Sequence, residues 1–385
     1  MTSQTDHNTA LISQADEALL DYGKLYQSQS SYSVAYPDSI EAVQRLITDN
    51  QTRPIRVRGS GHTFNGCTLP RAGELLLRTD HLDWYELGQK NTIVCGAGAL
   101  VWDIKDLVDD YGYKLPVYNG GWAGPTLGGY LNAGGFGKGE LSHEYGGLWE
   151  NVLEVAFVDG LGTLQRVSRD DDEFPWLFGA YGQFGVVVEL TLPIIPDHPL
   201  AALTFPKGET GQIPKRQAED PKVNDARQGT VENILFWFSI LITPEQEADA
   251  WIAMDAFCQR HSNVIEPDGG WAGPIRNGEP IGYHYDIRFH EFNPPLVYPH
   301  QREFIVMGIM TFLDVATDND SILDIEKDFI ALAEAGDFKL YLQAENIGRN
   351  VDYRQYYGDE VFEQFKTLKQ RFDPKGLINS GLVFD

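Results

Sequence analysis

Basic residues are scarce in this 385-residue chain. Thirty Lys and Arg stand against 56 Asp and Glu, a formal net charge of −26. Such a surface repels nucleic acid and anionic membranes, which bind through clustered cations. Cysteine is scarce as well. Cys67, Cys95 and Cys258 are too few and too scattered for a disulfide framework, and no pair has metal-ligand spacing. No run approaches the roughly 18 apolar residues of a membrane span. The N-terminus is polar, with acidic residues from Asp6 on, and lacks the basic and apolar regions of a signal peptide. A cytoplasmic protein is therefore expected, with no nucleic-acid or membrane partner. Internal repeats and low-complexity tracts are absent.

What is present fits a globular protein: 42% hydrophobic and 12% aromatic residues, on a length that suggests two domains. Glycine is frequent, at 39 residues. The chain turns on Arg58-Gly59-Ser60-Gly61-His62-Thr63-Phe64-Asn65-Gly66, which follows the strand-like run Pro54-Ile55-Arg56-Val57. Glycines let backbone N–H groups turn inward as an anion-binding nest, and Ser60 and Thr63 add hydroxyls. That is chemistry for a pyrophosphate, with the His62 imidazole placed to touch or bond to whatever the phosphates carry. Taken alone, the loop reads equally well as a surface turn. A second Gly-rich stretch, NGGWAGPTLGGYLNAGGFGKGELSHEYGG, spans Asn119 to Gly147. Its interleaved Trp122, Leu127, Tyr130 and Leu131 set it apart from a flexible linker and suit backbone passing close to a flat ligand.

In chain order, residues 1–30 read as an N-terminal helical leader, from Ala10, Leu11, Ala15, Ala18, Leu19 and Leu20 at roughly helical spacing. A short extended segment and a helix capped at Asp38 or Ser39 lead to the Gly loop as a β-α-β unit. Strands follow at Glu74–Arg78 and Asn91–Cys95, with a bend at His81–Trp84 between them. A helix with its apolar face on Leu100, Ile104, Leu107 and Val108 ends at Gly112. Strands at 151–159, 163–168 and 186–192 precede a boundary near 200. Beyond it, long strands (232–242, 281–292, 304–312) alternate with helices (244–261, 321–335), which suggests an antiparallel α+β domain. Segment 207–230 is charged and reads as an excursion. A helix over 359–371 and the run RFDPKGLINSG close the chain.

Six pieces stand in a telling order: RGSGHTFNG, CGAGALVWDI, GPTLGGYLNAGGFG, ENVLEVAFVDGLG, GQFGVV and RFDPKGLINSG. Together they resemble the vanillyl-alcohol oxidase / p-cresol methylhydroxylase superfamily of FAD-linked oxidases. The resemblance covers about residues 33–196 and the tail. It implies an α+β protein with a two-lobed FAD-binding domain over 31–200. An antiparallel-sheet cap over 201–345 would hold the substrate, and residues 346–385 would return to the FAD domain. It further implies FAD bound covalently through His62, with Arg58, Gly59, Ser60, Gly61, His62 and Thr63 at the pyrophosphate. Pro125, Thr126, Gly129, Asn132, Gly134 and Gly135 would line the flavin and its phosphates. Val186 and Val187 would meet the adenine, and Asn379 the ring system. Two departures limit the likeness. Gly124 stands where berberine-bridge members carry a second flavin-linking cysteine. Gly121 stands where cytokinin dehydrogenases carry an acidic catalytic residue.

The implied chemistry is hydride transfer from a C–H beside OH or NH to flavin N5, with a protein base removing the heteroatom proton. The cap should supply that base. In Tyr283 to Glu291, alternation puts His284, Asp286, Arg288 and His290 on one face, a costly row to bury unless it serves a ligand. A solvent-facing edge strand would carry the same row. Tyr341, Gln343 and Glu345 form a second set, and Tyr353, Arg354 and Tyr356 a third. Glycine at Gly135 leaves room for O2 above the flavin, which favours an oxidase releasing H2O2. The expected substrate is a small alcohol, sugar or polyol. An amine-oxidising or cytokinin-like dehydrogenase and a non-catalytic flavin-binding protein remain as alternatives. A nicotinamide dehydrogenase lacks its G-x-G-x-x-G at a helix start.

Overall fold

The computed structural model describes residues 12–29, 31–119, 124–139, 145–199, 201, 205–215, 233–262, 275–276, 279–280, 282–288, 294–297, 303–314, 319–342 and 351–382. Three sheets organise them. The first runs in the order Ile12–Ala15, Tyr32–Ala35, Leu75–Arg78, Ile55–Arg58. Its last three strands are parallel, and helix α1 (Ile40–Asp49) makes the crossover. Ser39 Oγ accepts from Ala42 N at 3.3 Å and caps α1, while Ala42, Val43, Leu46 and Ile47 fall on one face and are buried. Val43 and Ile47 pack with Leu75, Leu77, Val186 and Ile378.

The N-terminal segment departs from expectation. Residues 12–15 form an antiparallel edge strand against Tyr32–Ala35, and no helix lies within the described part of the leader. An open sheet edge offers that backbone partners a lone short helix lacks. Further on, Tyr22 N donates to Thr63 O at 2.9 Å, which ties this segment to the Gly loop. Residues 1–11 of the expected leader lie outside the described residues.

The second sheet is wholly antiparallel: Leu164–Ser168, Glu154–Asp159, Gly185–Pro193, Thr92–Gly96, Trp84–Leu87, Thr210–Gln212. Helix α2 (Val101–Asp110) buries Val101, Ile104, Leu107 and Val108, and the chain turns after it at Gly112 with φ +77°. Trp84–Leu87 is a strand that the bend reading stopped short of. Thr210–Gln212 falls in the segment read as an excursion, yet it pairs with Trp84–Leu87. The chain thus crosses the boundary expected near 200 and still adds a strand to this sheet. Residues 216–230 lie outside the described residues.

The third sheet, also antiparallel, runs Gly282–Arg288, Glu303–Asp314, Asn233–Ile242, Lys339–Leu340. Between the first Gly-rich loop and this sheet lies helix α3 (Leu127–Asn132). Helices α4 (Glu247–Arg260) and α5 (Asn319–Gly336) cover one face, where Phe236, Phe238, Ile305 and Met307 meet Met254, Phe257 and Phe329. From the other face Leu241, Phe304 and Val306 join the core of the second sheet. Helix α6 (Tyr353–Phe372) bends at Gly358, whose φ of 80° and ψ of 160° interrupt it, and then packs Phe372 on Phe157 and Phe184. Beyond α6 the tail reaches the first sheet, with Ile378 bridging Ile55 in parallel. Among the described residues no helix is long and apolar enough to cross a membrane.

Candidate functional site

The strand Ile55–Arg58 delivers the chain to a cleft between the first two sheets. A Cβ on Gly59 would stand 2.3 Å from Thr126 Oγ1, so only glycine lets the two segments meet. Ser60 Oγ donates to Gly124 O at 2.5 Å. Thr126 Oγ1 in turn accepts from Gly129 N at 3.2 Å and caps α3. Gly128 N donates to Ala97 O at 2.8 Å, which seats α3 on the end of the second sheet. Leu127, Tyr130 and Leu131 are buried beneath it. The backbone between these contacts remains open toward the cleft.

The far wall comes from the tail. Asn379, buried at φ +50°, uses its whole amide: Oδ1 accepts from Val57 N at 2.8 Å, and Nδ2 donates to Tyr181 O at 2.8 Å. Its own N–H donates to Ile55 O at 2.9 Å. Below it, Lys369 Nζ donates to Gln183 O, Ile378 O and Asp373 Oδ2 at 2.7, 2.7 and 2.8 Å. Asp373 also receives Leu377 N and Ile378 N. The cleft walls thus present threonine hydroxyls (63, 68, 79, 126), the amides of Asn132 and Asn379, the backbone of Gly59, Gly128 and Gly129, and apolar Val57, Ala97 and Val187. Among the described residues no ionised side chain lines it, although the chain carries a charge of −26. Donors without carboxylates, beside apolar walls, suit a ligand with a diphosphate and flat rings.

A model described as an FAD binding domain matches residues 32–168. D-lactate dehydrogenase of Archaeoglobus fulgidus is 25% identical over 198 residues, 48% of this chain and 44% of that one. Cytokinin dehydrogenase 5 of Arabidopsis thaliana is 26% identical over 190 residues, 46% of this chain and 34% of that one. Residues 32–168 are an FAD-binding domain of the vanillyl-alcohol oxidase / p-cresol methylhydroxylase superfamily. The chain spans less than half the length of both relatives. The fold is similar across nearly the whole chain to 6-hydroxy-D-nicotine oxidase of Arthrobacter nicotinovorans. The TM-score is 0.65 at 14% identity, over 95% of this chain and 94% of that one.

Within this FAD-binding domain the structure sorts the expected cofactor residues. Gly59, Thr63, Thr126, Gly129, Asn132, Val187 and Asn379 meet on one cleft. Others stand behind it. Arg58 turns away: its guanidinium donates to Thr68 Oγ1 at 3.0 Å and Leu20 O at 2.9 Å, and burial lowers its pKa to about 10. Gly61 (φ +83°) lies against that guanidinium, and Val186 is core. Ser60 and Pro125 are absent from the cleft lining. Gly134 and Gly135 are glycines for packing: a Cβ would stand 2.1 Å from Val297 Cγ2 and 2.0 Å from the Tyr130 ring. The structure gives Gly135 this steric reason for being glycine.

His62 stands off the cleft surface. Its ring centroid is 3.9 Å from that of Tyr22, and its Nδ1 lies where a Gly124 side chain would begin, 2.0 Å from such a Cβ. Burial lowers its pKa to about 3, so the imidazole is neutral.

In the third sheet the backbone of His284 and Asp286 lies opposite Met307 and Ile305, and that of Arg288 opposite Glu303. His290, Gln343 and Glu345 lie outside the described residues. Tyr341 Oη donates to Ala133 O at 3.0 Å, Tyr356 Oη to Leu340 O at 2.7 Å, and Arg354 pairs with Asp359 and Glu363 at the surface.

Tyr353, first residue of α6, is hydrogen-bonded to Tyr181 and lines a second cavity beside the cleft. Tyr181, Cys67 and Leu382 form the wall common to both. Tyr181 was not read from the sequence as a site residue. Its signal was the glycine after it in A-Y-G-Q-F-G, a turn that holds Tyr181 at φ +54°.

Proposed function

We propose that this FAD-dependent oxidoreductase oxidises a small hydroxylated substrate, an alcohol, sugar or polyol, and passes the electrons to O2 with release of H2O2. When bound, FAD supplies the hydride acceptor at N5. The observation that carries the reading is the second cavity, rich in hydrogen-bonding groups and adjoining the cofactor cleft at Tyr181, Cys67 and Leu382, which line both. The Gln27 amide there offers both a donor and an acceptor, as a hydroxylated ligand requires. Burial pushes the Tyr353 phenol well up from its ordinary pKa, so it stays protonated at neutral pH. It orients a substrate hydroxyl and does not deprotonate it.

In this reading the first two sheets, with the tail from 346 on, hold the cofactor, and the third sheet covers it. The neutral His62 imidazole is the form able to attack a flavin methyl carbon, which supports a covalent link. Gly124 has no side chain to make a second one. The names of cytokinin dehydrogenase and nicotine oxidase among the similar proteins favour a second reading, oxidation beside an amine nitrogen.

Anaerobic addition of sugars, polyols and amines to the purified holoprotein tests these readings. Bleaching of the flavin by hydroxylated compounds, followed by H2O2 on admission of air, is expected. Bleaching by amines alone moves the function to the second reading, and bleaching by none sinks both. Acid precipitation should leave yellow in the pellet, and His62→Ala should move it to the supernatant. Colour that leaves the parent pellet refutes the covalent link.

A further inference from the structure

The second cavity holds about 550 Å³, within the range of small-molecule sites. Among the described residues its charges are all of one sign: Arg56 and Arg71 line it, and no Asp or Glu does. In a chain with 56 acids and 30 bases that is the reverse of the surface at large.

The two cations differ in state. Arg56 is wholly buried and spent on Glu74, with Nε to Oε2 at 3.0 Å and Nη2 to Oε1 at 2.7 Å; Nη2 also donates to Ser380 O at 2.8 Å. It shapes the wall. Arg71 holds its backbone on Glu74 Oε2 at 2.8 Å and one guanidinium nitrogen, Nη2, on Gly381 O at 2.5 Å. Among the described residues no carboxylate side chain pairs with its guanidinium. The fork is thus aimed by the tail carbonyl at the cavity rim, with no carboxylate on it among the described residues. A planar guanidinium in that condition is matched by a carboxylate.

We infer that the second cavity is an anion site, taking a small hydroxy acid whose carboxylate is held by Arg71 with its hydroxyl-bearing end toward the Tyr181 wall. This rests on the oxidase reading for its chemistry but not for its binding. The cofactor's own phosphates are a rival occupant. They are served by the neighbouring cleft, which shares only Cys67, Tyr181 and Leu382 with this cavity.

The test uses holoprotein saturated with FAD, and oxalate as a carboxylate that offers no C–H to oxidise. Calorimetry should show oxalate binding that weakens with added salt. Arg71→Gln should raise its Kd about tenfold, roughly one charge-assisted hydrogen bond's share, and Arg71→Lys should restore part of the loss. The lysine variant also covers the case in which the glutamine variant fails to fold. In turnover, glycerate should show a KM well below that of glycerol, and the gap should close in Arg71→Gln. Oxalate binding that is absent, that ignores Arg71, or that occurs only in apoprotein overturns the anion site. The two readings separate cleanly. Glycerol bleaching the flavin without Arg71-dependent oxalate binding removes the anion site and keeps the oxidase. Arg71-dependent oxalate binding with no hydroxylated compound bleaching the flavin keeps the site and removes the oxidase.

Discussion

At the scale of single residues, two positions, one behind the cleft and one on it, carry measurable consequences. Asp21 is only 2% exposed; its Oδ1 accepts from Tyr26 N at 3.2 Å and its Oδ2 has no partner among the described residues. Burial raises its pKa from 3.8 to about 7 despite nearby Arg58. Below pH 3.8 folded and unfolded chains both hold the proton, and its contribution to stability is whole. As pH rises toward 7 the unfolded chain ionises first, and that contribution is lost. Asp21→Asn, which never ionises, should therefore melt higher than the parent at pH 8, with the gap closing at pH 4. Equal melting temperatures at pH 8 would count against this. Gly59 gives the second case. Alanine there needs space held by Thr126 Oγ1, 2.3 Å away. Gly59→Ala should purify with markedly less flavin per protein, read from the absorbance ratio. A full complement of flavin in that variant would mean the two segments part without cost.

At the scale of elements, α3 is the informative case. It is six residues long and contains Gly128 and Gly129, both poor helix formers. A helix that short is marginal by itself, so it exists through its cap and its buried face. Thr126→Val keeps the side-chain shape and removes the oxygen that accepts from Gly129 N. It should cost about 1 kcal/mol in denaturant unfolding and weaken flavin retention together with it. Unchanged stability would assign the helix to packing alone. The glycine density around α3 marked the segment as close to a ligand. It concealed that Leu127, Tyr130 and Leu131 build a helix there, because helical propensity points the other way. The third sheet shows the complementary limit. Its strands and covering helices follow apolar alternation and helical spacing, and those patterns are plain in the sequence. Alternation treats both faces of the sheet alike, and the face that joins the core of the second sheet is known only from Leu241, Phe304 and Val306.

At the scale of the molecule, the tail closes the cofactor domain. Lys369 and Asp373 lie one helical turn apart at the end of α6 and are both buried, the carboxylate completely. Three carbonyl and carboxylate acceptors converge on one ammonium, and the loop before the 185–193 strand, α6 and the 377–380 segment are locked by it. Lys369→Met strands a buried charge, a loss of about 3–5 kcal/mol. Urea unfolding should show it, and Lys369→Met with Asp373→Asn should recover part of it. A single variant as stable as the parent would show the clasp to be incidental.

The sequence by itself determined the local pieces: the strand-to-glycine turn at 55–61, the capped α1, the amphipathic α2, α4 and α5, and a diphosphate-suited loop with a histidine in it. Each depends on neighbours within a few residues, where spacing and glycine geometry act directly. Tertiary structure alone decided that residues 12–15 pair as an edge strand, that Thr210–Gln212 joins the second sheet, and that Arg58 turns behind the cleft. It also decided that Tyr181, Tyr353 and Arg71, far apart in the chain, border one chamber. Those outcomes rest on which surfaces are left to be buried once the sheets have formed, and no short window of sequence contains that information.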